Sequence, residues 1–212
     1  MRLAWKTASK AKDYDFYFWL NDDTILNYYA ILKLLEAYLE ILENDNKPAI
    51  ICGACKSSAE GNIFSYGGRN DSGPVLPNGL LQECKYINGN AVLIPNEVFR
   101  LFGNLSPDYT HIWFDVDYGL RTRAEKFKCY TTKTYIAICP KDKGLPPWCN
   151  PKTSLRKRWE LFHSPKGLNI SEYIIYRKKF WGTEWIVFAI KAYIKFFLPV
   201  LYGTISPQRN SN

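Results

Sequence analysis

Histidine is nearly missing from this chain: His111 and His163 are the only two in 212 residues. That scarcity weighs against a histidine-built zinc site, and cysteine does not replace it. Of the six cysteines only Cys52 and Cys55 are closely spaced, and no second close pair of Cys or His follows. Buried thiols in a strand account for that pair better than a metal does. Disulfide-framework spacing and a signal peptide are also lacking, so a reduced, cytoplasmic chain is expected. Low-complexity tracts are absent, while 47% of residues are hydrophobic and 16% aromatic, which argues against disorder. The sequence holds no glycine-rich phosphate loop and no Ser-His-Asp arrangement.

Charge of one sign dominates. The net charge is +8, and basic residues crowd into the C-terminal third, among them Lys152, Arg156, Lys157, Arg158, Arg177, Lys178, Lys179, Lys191 and Lys195. Such a balance favours a polyanionic partner: a nucleotide, a nucleic acid or an anionic membrane surface. The basic residues follow no DNA- or RNA-reading pattern, so nucleic acid is not expected as a partner. The length suits one core with an appendage, divided here into 1–152 and a basic, amphipathic helical extension over 153–212.

The pattern along the chain predicts a short amphipathic helix at the start and then an apolar strand over 15–20. A long helix over about 25–43 follows, in which Ile31, Leu34, Leu35, Tyr38, Leu39 and Leu42 recur at three- and four-residue intervals. Residues 49–55 read as a buried strand, and 56–80 as a Gly-, Ser-, Asn- and Pro-rich surface excursion with one short strand at 63–66. Strand character over 83–95 is interrupted at 88–90. A helix over 96–103, a second over 118–126 and a strand over 128–139 come next. This alternation argues for an α/β sheet with helical crossovers. Helices are expected over 155–162, 171–180 and 184–201. Lys191, Lys195 and Pro199 interrupt the last and argue against a membrane-spanning helix. Two roles stay open for it: an interfacial helix with its lysines among anionic headgroups, or an amphipathic helix packed on the domain.

Three polar elements carry the candidate chemistry. Asn21-Asp22-Asp23 ends the strand 15–20, where carboxylates can hold a divalent cation against the phosphates of a ligand. Asp23 is the leading ligand and Asp22 the supporting one; a helix cap through Thr24 accounts for the same residues. Phe114-Asp115-Val116-Asp117 opens a helix. Two acids two residues apart point in different directions on a helix, and one carboxylate near a helix N-terminus is favoured ionised, which suits a general base. An N-cap is the plain alternative. Arg121, one turn from Asp117, can pair with it or reach a phosphate. Asn88-Gly89-Asn90, between two apolar segments, suits a close backbone approach to a ligand or a β-bulge.

The order of these parts resembles the family 2 glycosyltransferases of GT-A fold. Trp19-Leu20-Asn21-Asp22-Asp23-Thr24 looks like their Asp-x-Asp region. Asn88-Gly89-Asn90-Ala91-Val92-Leu93-Ile94-Pro95 and Asp115-Val116-Asp117-Tyr118-Gly119-Leu120-Arg121 follow in sequence. The tail, with Trp148-Cys149-Asn150-Pro151 and Ser164-Pro165-Lys166-Gly167, is similar to a bacterial subgroup linked to surface polysaccharide synthesis. The resemblance implies a mixed sheet flanked by helices with a C-terminal helical extension, and inverting sugar transfer from a nucleotide-diphospho-sugar. Asp115 would be the base. Asp23 and Asp22 would hold Mg2+ or Mn2+, and Asn21, Asp22, Asp23, Gly89, Asn90, Asp117 and Arg121 would line the donor site. The acceptor would be a glycan or a lipid-linked glycan, and the location cytoplasmic, peripheral on the inner face of the membrane.

The sequence departs from that family at Phe114, where an acidic residue often stands, and at Cys139-Pro140, where a histidine often serves as a metal ligand. It also lacks the family's N-terminal nucleotide-binding strands, so a truncated core is expected. Two other readings compete: an inactive remnant or binding module, and a metal-dependent phosphotransfer enzyme using the same carboxylates.

Overall fold

The computed structural model describes residues 1–141 and 144–199. These form two compact units, Met1–Leu105 with Asp115–Lys141, and Ser106–Phe114 with the described residues of Asp142–Asn212.

The first unit is α/β. It runs α1 (Arg2–Ala11), β1 (Phe16–Leu20), β2 (Ile25–Leu26), α2 (Ala30–Asp45), β3 (Ile50–Lys56), β4 (Arg69–Asn70), β5 (Gly73–Pro74), β6 (Gln82–Cys84), β7 (Ala91–Pro95), α3 (Asn96–Phe102), α4 (Phe114–Ala124) and β8 (Cys129–Ile138). The mixed sheet has the order β1-β7-β3-β8-β2, with β6 also on β8. Only β3 and β8 pair in parallel; β6 joins β8 at Cys129–Thr131 and β2 joins it at Ala137 and Ile138.

β1 can be almost wholly aromatic because both its faces are covered. Tyr17 and Trp19 meet Trp5 of α1, Phe99 of α3 and Tyr118 of α4, with ring centroids 4.8–5.5 Å apart. On the other face Phe16 meets Tyr38 of α2 edge-on at 4.9 Å. Along its own edge β1 pairs with β7 alone among the described residues.

The helical pattern expected from residue 25 begins five residues late. Ile25 and Leu26 pair with Ile138 and Ala137 as β2, and Asn27 then donates from its backbone to Ile136 O at 2.8 Å. Pairing with a distant strand overrides a helical pattern that the two residues also fit. α2 buries Ala30, Leu34, Ala37, Tyr38 and Ile41, while Ile31 and Leu39 of the expected stripe are exposed. It ends at Asn46, which is left-handed with φ 51°, its N–H donating to Leu42 O at 2.9 Å. Asn46→Ala should therefore lower stability by about 1–2 kcal/mol, whereas Asn46→Gly should be near neutral. Urea unfolding of the two variants measures the difference.

Two further expectations change. Residues 63–66 contribute a single bridge, Phe64 with Lys56, in place of a strand. The helix expected from residue 118 starts at Phe114, which takes both acids into its first turn.

The second unit is helical, with α5 (Leu155–Phe162), α6 (Ile170–Trp181) and α7 (Trp185–Phe197). Its core gathers Trp148, Cys149, Phe162, Leu168, Ile170, Ala192 and Phe196. Glu172 binds the 106–114 segment into this unit, accepting from Thr110 N at 3.0 Å and Thr110 Oγ1 at 2.7 Å. A Cβ on Gly167 would fall 1.8 Å from Leu161 O, so the turn after α5 admits only glycine. The last two positions of the helix expected over 184–201 lie outside the described residues. No described helix is long and apolar enough to cross a membrane.

Candidate active site

The sheet delivers its polar residues to one place because β1 and β7 are antiparallel neighbours, with Leu20 opposite Ala91. The turn leaving β1 therefore lies beside the turn entering β7. Asn21 N donates to Asn90 O at 3.2 Å, and Thr24 N donates to Asn21 O at 3.2 Å, closing the acidic turn. Asp22 and Asp23 are exposed at its tip, while Thr24 is buried beneath.

Asn90 is the buried hub. Its side-chain amide donates to Thr24 Oγ1 at 3.1 Å and lies 3.0 Å from Cys139 Sγ, at the end of β8. The Thr24 hydroxyl in turn donates to Asp23 Oδ1 at 3.5 Å. Burial pushes the Cys139 thiol above its ordinary range; the Thr24 hydroxyl pulls it back, and the nearby Asp23 charge adds to the rise. Cys139 is thus a neutral thiol at neutral pH, seated under the acidic turn.

One residue before Asn90, Gly89 reaches the second acidic element. Gly89 N donates to Asp115 Oδ2 at 2.9 Å, and Val116 N donates to Asp115 Oδ1 at 2.8 Å. Burial of this carboxyl raises its pKa, and the two backbone donors oppose the rise without cancelling it. The helix position alone argued for a readily ionised acid; desolvation wins.

Asp117 points elsewhere, as helical spacing requires. It is fully buried and accepts from Arg121 Nε at 2.7 Å. Arg121 then donates to Phe102 O at 3.1 Å and to Asn104 O at 3.3 Å, satisfying carbonyls left over where α3 ends, and its guanidinium lies 5.0 Å from the Tyr118 ring. These two candidate donor contacts are turned onto each other and onto the framework.

The dipeptide Gly89–Asn90 therefore joins Asn21, Asp22, Asp23 and Asp115 into one site, with Thr24 and Cys139 beneath. Among the described residues no three His, Cys, Asp or Glu side chains gather as a metal-holding group. Two exposed carboxylates with few other protein ligands suit Mg2+ or Mn2+, which complete their shell with water and substrate oxygens, better than a metal needing a closed protein cage. Cys52 and Cys55 are both buried in β3, Cys52 Sγ lying 3.7 Å from Asn88 O. The sequence carries no local signal that joins Asn90 to Thr24 and Cys139, which lie 66 and 49 residues from it.

No protein-family model and no curated protein matches this chain. Among solved structures, "Crystal Structure of A197 from STIV" aligns with a TM-score of 0.42 and 15% identity, covering 68% of this chain and 75% of that one.

Proposed function

We propose that the first unit is a GT-A-type core that transfers a sugar, with inversion, from a nucleotide-diphospho-sugar to a hydroxyl of a glycan or lipid-linked acceptor. The observation that supports this most is the Gly89–Asn90 dipeptide, which holds a half-buried carboxylate on one side and an exposed carboxylate turn on the other. Sugar transfer needs two such acids in different states. One must accept a proton from the acceptor hydroxyl near neutral pH, and a carboxyl with its pKa raised by burial is better matched to that task than an ordinary one. The other must stay charged beside the leaving group.

In this reading Asp115 takes the acceptor proton as the acceptor oxygen attacks the anomeric carbon. The bond from that carbon to the diphosphate oxygen breaks, and the electron pair leaves with the nucleoside diphosphate. Asp23, with Asp22, would hold a divalent cation that neutralises the leaving diphosphate. Asn21 stands beside them to contact the donor, while Asn90 and Thr24 fix the turn from below. Surface-polysaccharide synthesis on a lipid-linked acceptor would place the protein on the inner face of the cytoplasmic membrane.

Asp23→Ala should abolish metal-dependent donor binding while leaving the fold intact, since Asp23 is exposed and its hydrogen bond from Thr24 Oγ1 is long at 3.5 Å. Calorimetry with a panel of nucleotide-diphospho-sugars and Mn2+ measures it. A wild-type protein that binds none of the panel, or binds equally well with the cation chelated, would count against the reading.

A further inference from the structure

α7 is apolar on two faces, and only one of them is used inside the second unit. Ala189, Ala192 and Phe196 point into its core. Ile186, Val187, Ile190, Ile194, Phe197 and Leu198 remain between 40% and 59% exposed. At 3.6 residues per turn these six side chains fall within an arc of roughly 120°. An outward helix face is normally polar. Here it is a continuous aliphatic and aromatic stripe.

Its borders are cationic. Lys191 and Lys195 follow one margin of the stripe, and Lys178 Nζ lies 4.4 Å over the Trp185 ring at the helix start. Near the other end, half-exposed Trp159 of α5 meets Phe196 edge-on at 5.6 Å, and Phe196 touches Phe197 at 4.9 Å. Between positions 152 and 199 the sequence places ten lysines and arginines against three glutamates. One of those, Glu172, is buried on Thr110, and another, Glu160, pairs with Lys157 at 3.0 Å. The positive charge of the whole chain is therefore concentrated in the segment that forms this unit.

We propose that the second unit lies on an anionic lipid surface, with the exposed face of α7 in the headgroup–acyl boundary and its lysines among the headgroup phosphates. An apolar stripe rimmed by Lys and flanked by indoles is the composition that such a boundary selects. Each lysine of the rim adds attraction to an anionic surface, and salt screens it. A single-stranded nucleic acid would satisfy the charge but asks for stacking rings where this face offers mainly aliphatic side chains. A second copy would cover the stripe but would bring two like-charged rims together. The inference rests on the second unit alone and holds whatever the first unit catalyses.

The test is sedimentation of the full chain with vesicles of phosphatidylcholine alone and of phosphatidylcholine mixed with phosphatidylglycerol. Binding is expected on the mixed vesicles, weakened by salt, and much less on the neutral ones. Ile190→Asp with Ile194→Asp should weaken it at least about tenfold, the cost of leaving two aliphatic side chains out of the apolar layer. Lys178→Glu with Lys191→Glu, at exposed positions outside the core, should weaken it as well and keeps the test open if the first pair fails to fold. Failure of the wild type to bind mixed vesicles, or equal binding by either folded variant, overturns the proposal. So does a wild-type dimer in light scattering that Ile190→Asp with Ile194→Asp dissociates, or retention of RNA in preference to vesicles.

Discussion

On the sugar transfer proposed above, Asp115→Asn is expected to lower turnover by about 10²–10⁴-fold, the contribution of a positioned general base, while donor binding persists. The variant should remain folded because two effects on stability oppose each other. Asparagine removes a charge that burial disfavours, yet its amide can accept only one of the two backbone N–H groups that now meet Asp115. Labelled transfer to an acceptor together with donor calorimetry separates chemistry from binding; unchanged turnover would remove Asp115 from the role. The pH profile of the wild type adds an independent readout. A base must be deprotonated, so activity should rise with pH, and the midpoint of its acid limb should lie above the ordinary carboxylate value of 3.8. The stability contribution runs the other way. A carboxyl whose native pKa is raised favours the fold fully below its unfolded value and loses that contribution as pH climbs through the native value. The condition that makes Asp115 competent is the one in which it stabilises least.

Arg121→Met is expected to cost about 3–5 kcal/mol of stability, the usual consequence of removing one partner of a buried ion pair. Asp117 has no exposed side-chain surface, and the Arg121 guanidinium is about one-fifth exposed, so solvent can do little to replace the lost charge. The methionine stem keeps much of the packing against Tyr118 but abandons the carbonyls of Phe102 and Asn104. Adding Asp117→Asn should recover part of the loss, because the residue left behind is then neutral. Urea unfolding of the single and double variants measures both steps. A loss below about 1 kcal/mol, the level of an exposed pair, would mean that the pair is better hydrated than its burial indicates.

Local pattern carried some parts of this structure and could not carry others. The aromatic run of β1 read as a strand because five consecutive apolar residues fit a site covered on both faces. The division of labour between Asp115 and Asp117 followed from their spacing once a helix was assumed, and the i, i+4 pairing of Asp117 with Arg121 followed with it. The start of α2 was not legible, since Ile25 and Leu26 fit a helical stripe and only their partners in β8 decide otherwise. Nor does local pattern fix the start of α4 at Phe114, ahead of the expected Tyr118. The Asp115 carboxylate is anchored by Gly89, and that contact has no sequence signature. The raised pKa of Asp115 is likewise a property of enclosure, which a string of residue types does not encode. In α7 the sequence left two roles open, and the structure shows a helix with one apolar face in its unit's core and a second one exposed.

The parallel pairing of β3 with β8 also bears on how the molecule comes to exist. Its register joins Ile50 to Cys129 and Lys56 to Ile138, so the intervening chain must be gathered before the two strands can meet. Such pairings form slowly, because the entropy of closing a long loop is lost before any contact repays it. The candidate site draws on residues 21–24, 89–90, 115 and 139, and Cys139 arrives only at the far end of that same β8. The pairing of β1 with β7, which joins Leu20 to Ala91 and Phe16 to Pro95, closes a loop of similar length. The carboxylate turn and the floor beneath it therefore both wait on long-range strand pairing, and neither half of the site should form from local contacts alone.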